Sequence, residues 1–252
     1  MLSAPRRNRI RLLIVPQFIF LIFVCVQIVC VSASDAPWLG KPVQQWDRKD
    51  LERIFTDSPW ARSVSVSRTW LPISEKDIHD KPLSGAGRKL PTETERASEG
   101  TYGGDLKINA YWASSRVMRA ASARKSELFD GKQGVDAVKY ASEAQEEYQI
   151  VLQSEDMAPF FRHDENYFRS NAFLQMKKTK LKLFPSHVRY ERDAQGVLVT
   201  AAIFFFSKKT PAGEPTVSPD EKNVQFSCKL EGSTLQVNFD PQKMVDSSGP
   251  DL

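Results

Sequence analysis

The run at 197–206 reads Val-Leu-Val-Thr-Ala-Ala-Ile-Phe-Phe-Phe, apolar but for one threonine. Side chains of a strand alternate between two faces, so this pattern marks a strand buried on both. The rest of the chain must supply the layers that cover it. Disulfides give no help. Cys25 and Cys30 lie in an N-terminal leader, and Cys228 is the remaining cysteine, so the cleaved chain has no intramolecular pair. The fold stands on its apolar core, and 252 residues suffice to bury one.

Around that strand, several segments alternate with period two. Residues 63–70 place Val64, Val66 and Trp70 opposite Ser63, Ser65 and Ser67. Residues 105–112 place Leu106, Ile108, Ala110 and Trp112 on one side, and 148–153 place Tyr148, Ile150 and Leu152 together. Further strands are expected within 172–183, at Val188 and Tyr190, at 224–230 and at 235–239, with a hairpin turn at 231–234. Helical spacing is expected at 47–56, where Asp47 is the N-cap and Leu51, Ile54 and Phe55 form the apolar face. A second helix starts at Ser114 or Ser115 and runs to about Phe129, with Val117, Ala121 and Leu128 on one face. A third covers 133–147, with Val135, Val138, Ala141 and Ala144 inward. Residues 156–171 read as one or two short helices broken at Pro159. Consecutive strands with short turns imply an α+β fold, an antiparallel meander sheet with two or three helices packed on one face.

Two stretches stand apart. Residues 71–104 carry Pro72, Pro82 and Pro91 and five glycines among few large apolar residues, which reads as a long, mobile surface insertion. Residues 1–33 combine Arg6, Arg7, Arg9 and Arg11, an apolar stretch at 12–31, and the small-residue exit Val31-Ser32-Ala33. These are the parts of a secretory signal peptide. The apolar stretch, about 20 residues, is also long enough for a membrane anchor if it is not cleaved. Bulky residues before Cys25 and Cys30 argue against lipidation. The organisation is then a signal peptide or anchor at 1–33 and one extracytoplasmic domain at 34–252, periplasmic or extracellular, tethered to the inner membrane if the anchor stays. Membrane contact is expected only through 12–31, in the uncleaved case.

The leader's four arginines account for the whole formal charge of +4, so the mature chain is neutral. That argues against nucleic acid as a partner, which needs a surplus of phosphate-neutralising cations. Candidate chemistry is thin. His163-Asp164-Glu165 offers metal-type donors, but consecutive helical residues point about 100° apart. Asp164 and Glu165 fit better as the acidic start of a helix bearing Tyr167 and Phe168. His79 and His187 lack a partner at a defined spacing, and Cys228 shares an apolar face with Val224, Phe226 and Leu230. No nucleophile elbow, phosphate loop or C-x-x-C occurs. No catalytic, cofactor-binding or metal-ligating residue is assigned, and no cofactor is implied. Of the five tryptophans, Trp46 and Trp60 are expected to staple the first helix to the sheet, and Trp70 and Trp112 to end core faces of strands.

Several short words in the chain point to a family. They are residues 46–61 with Asp57-Ser58-Pro59-Trp60-Ala61, the strand Tyr148-Gln149-Ile150-Val151-Leu152, and 179–188 with Leu181, Pro185 and Val188. Phe204-Phe205-Phe206-Ser207-Lys208, Val224-Gln225-Phe226 and Phe239-Asp240-Pro241-Gln242-Lys243-Met244 complete the set. Together they resemble a group of uncharacterised exported proteins common in acidobacterial genomes. The resemblance implies bacterial export and supplies no activity or catalytic residue. The chain departs from it at 246–252, which lacks an apolar finish. The expected function is a non-catalytic binding module that holds a protein or another envelope component. The competing expectation is an extracytoplasmic hydrolase with a site assembled from distant residues under the 71–104 insertion.

Overall fold

The computed structural model describes residues 36–70, 73, 105–131 and 136–252. The leader, the 71–104 insertion apart from Ile73, His79 and the start of the helix expected at 133–147 lie outside the described residues. Residues 37–252 form one compact unit.

The first elements are α1 (Pro37–Gly40), a 3-10 turn (Val43–Gln45) and α2 (Arg48–Thr56). Asp47 caps α2, accepting from the Asp50 N–H while the Asp50 carboxylate accepts from the Asp47 N–H. That reciprocal pair satisfies two otherwise orphaned donors. Leu51 and Ile54 face inward. Strands β1 (Ala61–Ser67) and β2 (Asp105–Trp112) pair antiparallel. Helix α3 (Arg116–Phe129) follows, capped by the Ser115 side chain at the Met118 N–H. Next come α4 (Ala137–Ser142) and β3 (Glu147–Ser154). Helices α5 (Ala158–Arg162) and α6 (Glu165–Asn171) lead to β4 (Ala172–Met176) and β5 (Lys182–Leu183). The chain closes with β6 (His187–Arg192), β7 (Val199–Ser207), β8 (Val224–Leu230), β9 (Ser233–Phe239), a 3-10 turn (Pro241–Lys243) and the short ribbon of β10 (Val245–Asp246) and β11 (Gly249–Pro250).

The fold is α+β with antiparallel sheets, but the strands do not form one meander. They divide into a five-stranded sheet, β1-β2-β3-β7-β6, and a four-stranded sheet, β5-β4-β8-β9. Consecutive strands pair in β1-β2, β2-β3, β4-β5, β6-β7 and β8-β9. Each sheet is then completed by one pairing of strands that are not consecutive in the chain, Ile150 opposite Phe204 and Leu174 opposite Phe226. The sheets pack face to face. Phe204 and Phe206 of β7 meet Phe226 of β8 at ring separations of 5.1 and 6.3 Å, and Trp112 meets Phe239 at 5.3 Å. The main cover of the apolar strands is thus a second sheet rather than a helical layer, because β4, β8 and β9 carry their own alternating apolar faces. Along β7, Ile203 and Phe205 turn outward and are still buried. Their outer cover includes the His187 ring, stacked on Phe205 at 4.0 Å, and the Arg189 guanidinium at 5.5 Å.

Other expectations shift at their ends. Pro159 sits in the first turn of α5, where its missing N–H costs nothing, and the break falls at His163 instead. Within the described residues α4 is one short segment that packs through Ala141, while Val138 is exposed, as is Leu128 at the end of α3. Trp46, Trp60, Trp70 and Trp112 are all core residues, and Trp38 packs edge-on against Trp60.

The free edges of the two sheets, β1 and β9, lie side by side. Arg62 Nε donates to the Asn238 carbonyl at 3.2 Å, and Ser233 Oγ donates to the Ser67 carbonyl at 3.1 Å. A shallow groove of about 360 Å³ separates the strands between these bridges.

Candidate functional site

The sequence's metal-like trio does not converge. Asp164 Oδ1 accepts the Tyr167 N–H at 2.8 Å and caps α6, and Glu165 is an exposed first-turn acid. The His163 ring instead lies parallel to Tyr167 at 4.0 Å, with Nε2 3.5 Å from Glu231 Oε1. Arg162 Nη1 is 3.6 Å from the other Glu231 oxygen. Glu231 occupies the β8–β9 turn with its side chain 7% exposed, and its carbonyl accepts the Thr69 hydroxyl. The Tyr190 hydroxyl donates to the His163 carbonyl at 2.9 Å. Sequence reading missed Glu231 and Arg162, because the pairing joins the α5–α6 corner to a turn far along the chain. Burial holds the His163 pKa below its usual value; the nearby Asp164 opposes this shift and Arg162 reinforces it. Burial raises Tyr167, with Cys228 and Glu231 adding to it. The cluster can anchor the α5–α6 corner on the hairpin through the Arg162–Glu231 charge pair and the stacking of His163 on Tyr167.

Cys228 is wholly buried on the inner face of β8, and burial pushes its thiol well above the ordinary range. A thiol in that state stays protonated and inert.

His187 brings together a group that the sequence did not suggest. Ser186 Oγ lies 3.0 Å from His187 Nδ1 and also donates to the Glu147 carboxylate. Glu147 Oε1 is 3.9 Å from the same ring nitrogen. A serine relay needs its two partners on opposite ring nitrogens, with the imidazole between them. Here both address Nδ1, and the hydroxyl bonds directly to the carboxylate.

The outer face of the four-stranded sheet has a different character. Its outward positions include Phe173 and Gln175 on β4, Gln225 and Lys229 on β8, and Gln236 and Asn238 on β9. None of the outward positions on β4, β5, β8 or β9 is a carboxylate. Lys229, Gln236 and Asn238 are exposed. Lys182 on β5 sits over the Phe173 ring at 4.4 Å, and Phe184 packs against Phe173 at 6.0 Å while remaining 51% exposed. Aromatic rings among amide and ammonium donors make a surface suited to holding another molecule.

Comparison with known proteins gives no matching family model, no matching curated protein and no matching solved structure. The site therefore rests on its own geometry. Of the residues singled out in the sequence, His163 enters a cluster and Cys228 enters the core. His187 covers Phe205, and the tryptophans build the interior.

Proposed function

We propose that the chain is an exported, non-catalytic binding module of the cell envelope. Its ligand is a protein or another envelope component, held on the uncovered face of the four-stranded sheet. The observation that carries this reading is the composition of that face, amides and lysines beside Phe173 and the half-exposed Phe184, with no acid on its strands. Such a surface accepts hydrogen-bond acceptors and negative charge, and offers apolar contact at Phe173 and Phe184. The arginine-rich, apolar leader with its small-residue exit supports export, as does the resemblance to exported proteins.

The test is cross-linking of a tagged chain in its native cells, with partners and N-terminus read by mass spectrometry. A reproducible envelope partner is expected, with cross-links mapping to the outer face of β5, β4, β8 and β9, together with Ser34 as the new N-terminus or an intact anchor. A monomer without partners overturns the reading. A broad hydrolase screen then tests the competing one.

A further inference from the structure

We propose that the β4–β5 hairpin docks on the anionic phospholipid surface of a bilayer. This deepens the binding reading by naming the envelope component. The hairpin tip and β5 read Lys177-Lys178-Thr179-Lys180-Leu181-Lys182, four cations without an acid. All four lysines are exposed, and none forms a salt bridge among the described residues. Glu221, which approaches this tip, is turned inward. It is 4% exposed, and its Oε1 accepts the Lys178 N–H at 3.0 Å, so it braces the turn instead of pairing with an ammonium group. Lys180 holds a left-handed φ of 60°, a position that favours glycine or asparagine. The fold keeps a cation there despite that preference.

Charge alone fits any polyanion; the apolar residues choose among them. Leu181 and Phe184 flank the edge strand β5 and are 45% and 51% exposed. A nucleic acid would call for a surplus of cations, and outside the leader this chain carries none. A bilayer interface accommodates both kinds of side chain, ammonium groups at the lipid phosphates and apolar ones just beneath. Beside Phe184 lies a shallow cavity of about 410 Å³ lined by Arg169, Asn166 and Ser170. Its guanidinium, amide and hydroxyl groups suit a phosphate-bearing headgroup.

The experiment reads the hairpin locally, so that the apolar leader of the full chain does not confuse it. Thr179→Cys in a Cys25→Ser, Cys30→Ser background is labelled with a polarity-sensitive fluorophore; Cys228 is buried and stays unlabelled. Vesicles of phosphatidylcholine with phosphatidylglycerol should shift the emission to the blue and permit quenching by lipid-borne quenchers. Phosphatidylcholine alone should do neither, and high salt should reverse the effect. Adding Lys177→Gln, Lys178→Gln and Lys180→Asn should raise the lipid concentration for half the shift about a hundredfold, at about fivefold per lysine. The Lys177→Arg, Lys178→Arg pair should retain binding. Circular dichroism confirms that each variant is folded.

No shift, or an equal shift on phosphatidylcholine, overturns the proposal, as does a shift abolished by the lysine changes but produced equally by free nucleic acid. Export and partner capture are read separately in cells. An exported chain with a silent hairpin overturns the docking assignment alone. A lipid-responsive hairpin on a chain retained in the cytoplasm overturns the export reading alone.

Discussion

His163 shows how a single titration bears on stability. Its folded pKa lies below the ordinary 6.5, chiefly through burial. A group whose pKa is depressed by folding adds stability that is present above the unfolded value and lost as pH falls through the folded one. The α5–α6 corner should therefore weaken as pH drops from 6.5 downward. His163→Phe keeps a ring to stack on Tyr167 and removes the proton site. Denaturation midpoints of the variant should lose the part of the pH dependence that starts near 6.5, and an unchanged profile would assign it to other groups. What the sequence could say here was the local half. Asp164 as a helix start follows from residues within three positions of it. The meeting of His163 with Glu231 leaves no local pattern, since a turn residue and a helix-corner histidine have separate signals.

At the scale of elements, α3 is the instructive case. Ser115 caps it from inside the local sequence, as its position before an apolar-periodic run suggests. The second cap comes from a residue 135 positions away. Asp251, 1% exposed, accepts the Arg116 N–H at 2.7 Å and the Val117 N–H at 3.0 Å. Arg116 reaches back in a two-point contact with Asp246, both bonds at 2.9 Å, and the Trp60 indole donates to the Asp251 carbonyl at 2.7 Å. The segment at 246–252, whose one large apolar residue, Leu252, packs partly buried against the core, is thus held mainly by polar contacts. A hydropathy pattern carries no trace of them. Asp251→Ala should cost about 2 kcal/mol, since it leaves one buried and one partly buried helix donor without an acceptor. Chemical denaturation measures this, and a loss below a few tenths would mean that the helix end rehydrates. Asp47→Ala should cost about 1 kcal/mol at α2 by loss of its capping box.

For the whole molecule, the two sheets share one apolar interior, so they should lose structure together. Phe226 is fully buried and touches Phe204 and Phe206 of the opposite sheet. Phe226→Ala should cost about 3–5 kcal/mol and lower a single cooperative transition. Two separated transitions would show that the sheets stand independently. The individual strands were legible because alternation is a local property. Their division into two sheets was not, because it depends on which distant strand completes each ladder.

Those completing ladders also set the tempo of folding. Strand β3 waits for β7, and β4 waits for β8, so each sheet closes only when chain from far downstream arrives. Loop closure of that span precedes any gain from the contacts, and chains rich in such pairings fold slowly. A nascent chain released up to β6 holds β1-β2-β3 and the β4-β5 hairpin without the strand that extends either sheet, and the interior forms late, after most of the polypeptide has been delivered.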